Sequence, residues 1–124
     1  MKLTSRTYAD TLVIMPAGRL DHDNCDEFRA GLQPHVDGGA RDGHGIVLDL
    51  SGLEYISSAG LRCFMLAARE ARNQGGRVLL AALRPVVAEI FQISRFNMLF
   101  EIHPSVRDAL ASVSPAAAAA FDQG

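Results

Sequence analysis

With 124 residues, the chain is long enough for one hydrophobic core without staples and suits a single domain. Its 48% hydrophobic and 21% charged content excludes a disordered or membrane-embedded class. A formal net charge of -2, with its 12 Lys and Arg residues spread along the chain, leaves no electrostatic footprint for nucleic acid.

The opening Met-Lys-Leu-Thr-Ser-Arg lacks the apolar core of a signal peptide. The longest early apolar stretch, Leu12 to Ala17, is too short to span a bilayer. A cytoplasmic protein without membrane insertion is expected. Cys25 and Cys63 are neither numerous nor CxxC-spaced and read as two free thiols rather than a disulfide.

Thr4 to Ala9 and Thr11 to Ala17 are rich in β-formers and predict two strands, joined at Asp10 in an antiparallel hairpin. Gly18-Arg19-Leu20-Asp21 ends the second strand, and His22, Asp23 and Asn24 form a polar loop able to cap a helix. Phe28, Leu32 and His35 or Val36 share one face of that helix. The glycine-rich 38–45 stretch precedes a strand, whereas phosphate-cradling loops follow one and open a helix.

Ile46, Val47, Leu48 and Leu50 make a nearly continuous apolar run, the pattern of a strand buried on both faces. After the Ser51-Gly52 turn the period changes. Leu61, Phe64, Met65 and Ala68 mark one side of a helix. Cys63 and Leu66 widen its apolar surface, which is either covered by the fold or offered to a partner. Asn73-Gln74-Gly75-Gly76 stops it. Arg77 to Leu83 predicts another strand, and Pro85 opens a third helix. Phe96 to Ile102 suggests a bulky connection and a short last strand. Pro104 opens a fourth helix, which Ser114-Pro115 ends. Residues 1–113 form the domain, and 114–124 read as a flexible Ala-rich tail. The fold class is α/β: a mixed, mostly parallel sheet of about five strands with an antiparallel N-terminal edge strand and four helices. Apolar positions between Phe91 and Phe100 suit a monomer or a weak dimer.

Ser57 and Ser58 lie where the central strand hands over to its helix, the region in which open α/β sheets bind ligands and partners. One reading of Ser58 is a helix cap. The other is a phosphoacceptor, whose phosphate would meet backbone N–H groups and the positive end of the helix dipole. Asp21 and Asp23, with Asp49 and Glu54, are expected to rim the same surface if their strands are parallel neighbours. The alternative for these acids is a solvated loop with helix caps. No nucleophile elbow, phosphate loop, HExxH or Cys/His ligand set occurs, so no catalytic residue, metal or cofactor is expected.

The segment Val47-Leu48-Asp49-Leu50-Ser51-Gly52-Leu53-Glu54-Tyr55-Ile56-Ser57-Ser58-Ala59-Gly60-Leu61 resembles the signature of STAS domains, specifically bacterial anti-sigma factor antagonists. Gly18-Arg19-Leu20-Asp21 is similar to the family's Gly-x-Leu-Asp segment, and Pro85 to Phe91 resembles its later helix. The resemblance implies a phosphorylation-controlled binding protein. Its partners would be an anti-sigma factor that is also a serine kinase of the histidine-kinase-like ATPase type, and a PPM-type phosphatase. ATP would be bound by that kinase. By position, Ser58 matches the phosphoacceptor and Asp21 an acidic residue near it. Asp21, Asp23, Asn24, Ser57, Ser58, Ala59, Gly60 and Arg62 form the expected contact face. Many family members carry Asp where this chain has Ser57, and Ser or Thr where it has Ala59. Ser57 is therefore a competing acceptor, with Ser58 preferred. The alternatives are a soluble STAS subunit of a lipid or solute ABC-type transport complex, and a small α/β enzyme or nucleotide binder.

Overall fold

The computed structural model describes residues 2–39, 45–73 and 77–123. Most of the 38–45 glycine-rich stretch and the Gln74–Gly76 stop lie outside them. In chain order the elements are β1 (Lys2–Tyr8), β2 (Thr11–Leu20), α1 (Cys25–Gly39), β3 (Gly45–Asp49), β4 (Leu53–Ile56), α2 (Ser58–Asn73) and β5 (Arg77–Ala81). Then follow α3 (Pro85–Ile93), a 3-10 turn (Phe96–Met98), β6 (Glu101–His103), α4 (Val106–Val113) and α5 (Pro115–Asp122). The sheet runs β1-β2-β3-β5-β6, with β4 paired to β2. The β1–β2 hairpin is antiparallel, while the β2–β3, β2–β4, β3–β5 and β5–β6 pairings are parallel.

The uninterrupted apolar runs are explained by helices on both faces. Ile14, Ile46, Leu48, Val78 and Leu80 belong to one core with Phe28, Phe64 and Phe91 from α1, α2 and α3. The residues between them, Val13, Val47 and Leu79, pack on Ala109, Leu110 and Ala117 of α4 and α5. Each fully buried aliphatic side chain contributes about 1.5–3 kcal/mol. Phe64 of α2 organises the first core. Its ring stacks on Phe28 at 5.6 Å and meets Phe91 and Phe100 edge-on at 6.0 and 5.7 Å.

Two elements add to the expected set. Leu53 and Ile56 of β4 are buried, with Glu54 and Tyr55 exposed. Four residues are too few to show a period, so the sequence carries no separate signal for this strand. The second is a correction: the flexible tail expected over 114–124 is, from Pro115 to Asp122, the helix α5. Ser114 closes α4 and also caps α5, its hydroxyl accepting from the Ala117 N–H at 3.3 Å. Alanine, expected here as a flexible tail, is the strongest helix former. Ala117 and Ala118 are buried, Phe121 packs on Tyr8 with centroids 5.3 Å apart, and Arg107 donates to Asp122 at 2.8 Å.

A further correction concerns the cysteines. Cys25 and Cys63, expected as separate thiols, are joined as a disulfide with Cα atoms 6.0 Å apart. Their 38-residue separation says nothing of this, because α1 and α2 meet only through the fold. Of the apolar positions from 91 to 100, Phe91 and Phe100 are buried, while Ile93, Met98 and Leu99 are exposed.

Candidate functional site

The site begins with β2, which serves two partners. Its first half pairs with β3 through Leu12, Val13 and Ile14. At Gly18 the backbone takes φ +100°, which favours glycine, and the pairing register shifts so that Arg19 and Leu20 lie beside Tyr55 and Ile56 of β4. This irregularity brings the end of β2 against the start of α2. The Leu20 carbonyl accepts the Ser57 N–H at 2.9 Å. A Cβ at Gly60 would sit 2.4 Å from that same carbonyl oxygen and 3.0 Å from Ile56 Cγ1. Glycine at position 60 is thus a condition of the close approach, not a flexible joint.

Asp21 to Asn24 follow directly and are held by their own polar groups. Asn24 Oδ1 accepts the Asp21 N–H at 2.9 Å, and its amide donates to the Arg19 carbonyl. Asp21 Oδ1 accepts the Asp23 N–H at 3.0 Å. The Asn24 side chain therefore folds the loop back onto β2 instead of capping α1. Its backbone carbonyl accepts from Phe28 N at 3.0 Å. Asp23 and His22 are exposed with a 3.0 Å contact between them, and Asp21 is half-buried.

The two serines differ. Ser57 caps α2: its Oγ accepts the Gly60 N–H at 3.1 Å and its carbonyl accepts the Leu61 N–H at 2.8 Å. Ser58, the first helical residue, is exposed, and the capping role weighed for it belongs to Ser57. Helix geometry leaves the Ser58 and Ala59 N–H groups without intrahelical acceptors, and α2 has no acidic residue in its first turn. The end of the dipole that favours anions is left open there. Ala59 and Arg62 are exposed too, and Gly60 is buried beneath them.

Asp21, Asp23, Asn24, Ser57, Ser58, Ala59 and Gly60 thus gather around the junction of β2 and α2, with Arg62 one turn along the helix. Asp49 does not join them. It is 7% exposed, accepts the Ser51 N–H at 3.0 Å, and lines a depression with Tyr8, Val106 and Phe121 on the α4–α5 side. The expected common rim of Asp21, Asp23, Asp49 and Glu54 is corrected at Asp49, while Glu54 is exposed on β4. Cys25 and Cys63 tie the start of α1 to α2 beneath this face. No local spacing in the sequence marks the two cysteines as neighbours of this face. Among the described residues no group of three or more His, Cys, Asp or Glu side chains could hold a metal. No described helix is long and apolar enough to cross a membrane.

Fold and site together define a small α/β module that presents one end of its sheet. The model of the STAS domain matches residues 2–109, and the chain belongs to that family. It is 39% identical over 121 residues to "Putative anti-sigma factor antagonist BtrV" of Bordetella bronchiseptica, covering 98% of this chain and 95% of the relative. Among solved structures, a Thermotoga maritima protein, TM1081, superposes with a TM-score of 0.79 at 20% identity, over 90% of this chain and 93% of that one. SpoIIAA of Bacillus superposes in its unphosphorylated form with a TM-score of 0.70 at 24% identity, over 90% of this chain and 96% of that one. Its phosphorylated form superposes at 0.64 and 23%, over 91% and 100%.

Proposed function

We propose that the chain is a cytoplasmic anti-sigma factor antagonist whose binding is switched by phosphorylation of Ser58. Unphosphorylated, it binds an anti-sigma factor that is also a serine kinase of the histidine-kinase-like ATPase type, and so releases the sigma factor. That kinase transfers phosphate from its own ATP to Ser58, and a PPM-type phosphatase removes it. The chain acts as substrate and ligand and catalyses nothing itself. The similarity to BtrV supports the general role.

The observation that carries the switch is the exposed Ser58 at the open end of α2, beside a Ser57 already engaged as cap. A kinase can reach the first hydroxyl, whereas the second must give up its bond to Gly60 N. The added group brings a charge of about −1.5 to −2, and the N–H groups of the first turn let the fold tolerate it. A partner docked over Ser58, Asp21 and Asp23 does not tolerate it, because an unpaired buried charge costs about 3–5 kcal/mol. Pull-down with the cognate anti-sigma factor tests this. Ser58→Ala is expected to bind like the unmodified protein, and Ser58→Asp to bind at least about a hundredfold more weakly, the lower end of that range. Equal binding by both rejects the switch.

A further inference from the structure

The chain holds two cysteines, and they meet beside the candidate docking face. Cys25 is the first residue of α1 and follows Asn24 directly; Cys63 lies near the start of α2. Their Cα separation of 6.0 Å falls inside the range of about 4.4–6.8 Å that a disulfide spans. Their exposures differ: Cys63 is 1% exposed and Cys25 half-buried. A small oxidant or thiol therefore reaches Cys25 first. The site also suits both redox forms, because the Cys63 sulfur lies 3.2 Å from the Cys25 carbonyl oxygen, which accepts the S–H when the bond is open.

We propose that Cys25 and Cys63 are a reversible dithiol–disulfide site that sets how firmly the 21–24 loop is held against the start of α2. With hydrogen peroxide as oxidant, the Cys25 thiolate attacks one oxygen. An S–O bond forms, the O–O bond breaks and hydroxide leaves. The Cys63 thiolate then attacks that sulfur, forming S–S and releasing the second oxygen as hydroxide. Two thiols are oxidised and one peroxide becomes two waters once the released protons are taken up. A small-molecule thiol such as glutathione reverses the change by thiol–disulfide exchange and is itself oxidised. In the oxidised form a covalent bond anchors α1 immediately after Asn24. In the reduced form the anchor is an S–H···O contact, and the loop keeps only the bonds of Asp21 and Asn24. The consequence for partner binding rests on the proposed function; the covalent step does not.

The test equilibrates the whole protein in glutathione buffers from reducing to oxidising, quenches with acid, alkylates and reads intact mass and linked peptides. The expected result is one two-electron transition from a doubly alkylated protein to an unalkylated one carrying a Cys25–Cys63 peptide pair. In Cys63→Ser, Cys25 is expected to stop as a mixed disulfide with glutathione. Two alkylated thiols at every poise, a bond that never opens, or a mixed disulfide that persists in the unaltered protein would each overturn the site. Amide exchange of residues 21–24 reads the coupling without any partner. Exchange is expected to be roughly three- to tenfold slower in the oxidised form, as for a locally tethered segment, and equal exchange overturns that part. A Ser58 that no kinase modifies would sink the proposed function and leave both readouts unchanged.

Discussion

Three helices of this domain begin at a serine, and comparing them separates scaffold from site. At the start of α4, Ser105 accepts the Asp108 N–H at 3.1 Å. At the start of α5, Ser114 accepts the Ala117 N–H at 3.3 Å. Val106 and Pro115 follow these caps, so neither helix start carries a second hydroxyl. At α2 the cap is Ser57, and another serine follows it, exposed and outside the capping bond. Asp108 already occupies the first turn of α4, whereas the first turns of α2 and α5 carry no acid. Capping needs one hydroxyl per helix. The surplus hydroxyl and the neighbouring 21–24 loop are what structure alone does not require.

The strongest way to break that contrast is to move α2 away from β2. Gly60→Ala places a methyl group 2.4 Å from the Leu20 carbonyl oxygen. The variant is expected to lose about 1–3 kcal/mol in denaturant unfolding, as overpacked sites do, and to weaken partner binding by displacing Ser58. A variant with unchanged stability would show that the close approach is dispensable.

A smaller change sharpens the comparison. Ser57→Ala and Ser105→Ala should each cost about 1 kcal/mol, the usual effect of losing an N-terminal cap. Ser58→Ala should stay within about 0.5 kcal/mol of the parent, as exposed positions without such a role do. Thermal unfolding of the three variants checks the order. A Ser58→Ala loss equal to that of Ser57→Ala would make Ser58 a cap after all.

How much of this was legible depends on how local the cause is. The run Ile46 to Leu50 showed a strand buried on both faces because the two-sided covering leaves its mark on consecutive residues. Pro85 and the turn residues around Asp10 bounded their elements for the same local reason. Ser57 and Ser58 could be placed at a helix start, but the capping role considered for Ser58 falls to Ser57. A one-residue shift in register exchanges cap and free hydroxyl. The β4 strand was hidden because it exists through the Gly18 irregularity in β2. The α5 helix was masked by an alanine run whose Ala117 is buried with Val13, Val47 and Leu79 of distant strands. Asp49 was misplaced because a strand end does not say which face its last side chain takes. The Cys25–Cys63 pair needed the packing of α1 on α2. Contacts between distant segments account for each of these differences.

The proposed switch depends on which hydroxyl receives the phosphate. The protein, its Ser57→Ala and its Ser58→Ala variants would be incubated with the cognate anti-sigma kinase and ATP, and the phosphate located by peptide fragmentation. The predicted result is phosphate on Ser58 in the parent and in Ser57→Ala, and none in Ser58→Ala. Phosphate on Ser57 in the parent, or undiminished labelling of Ser58→Ala, would contradict it.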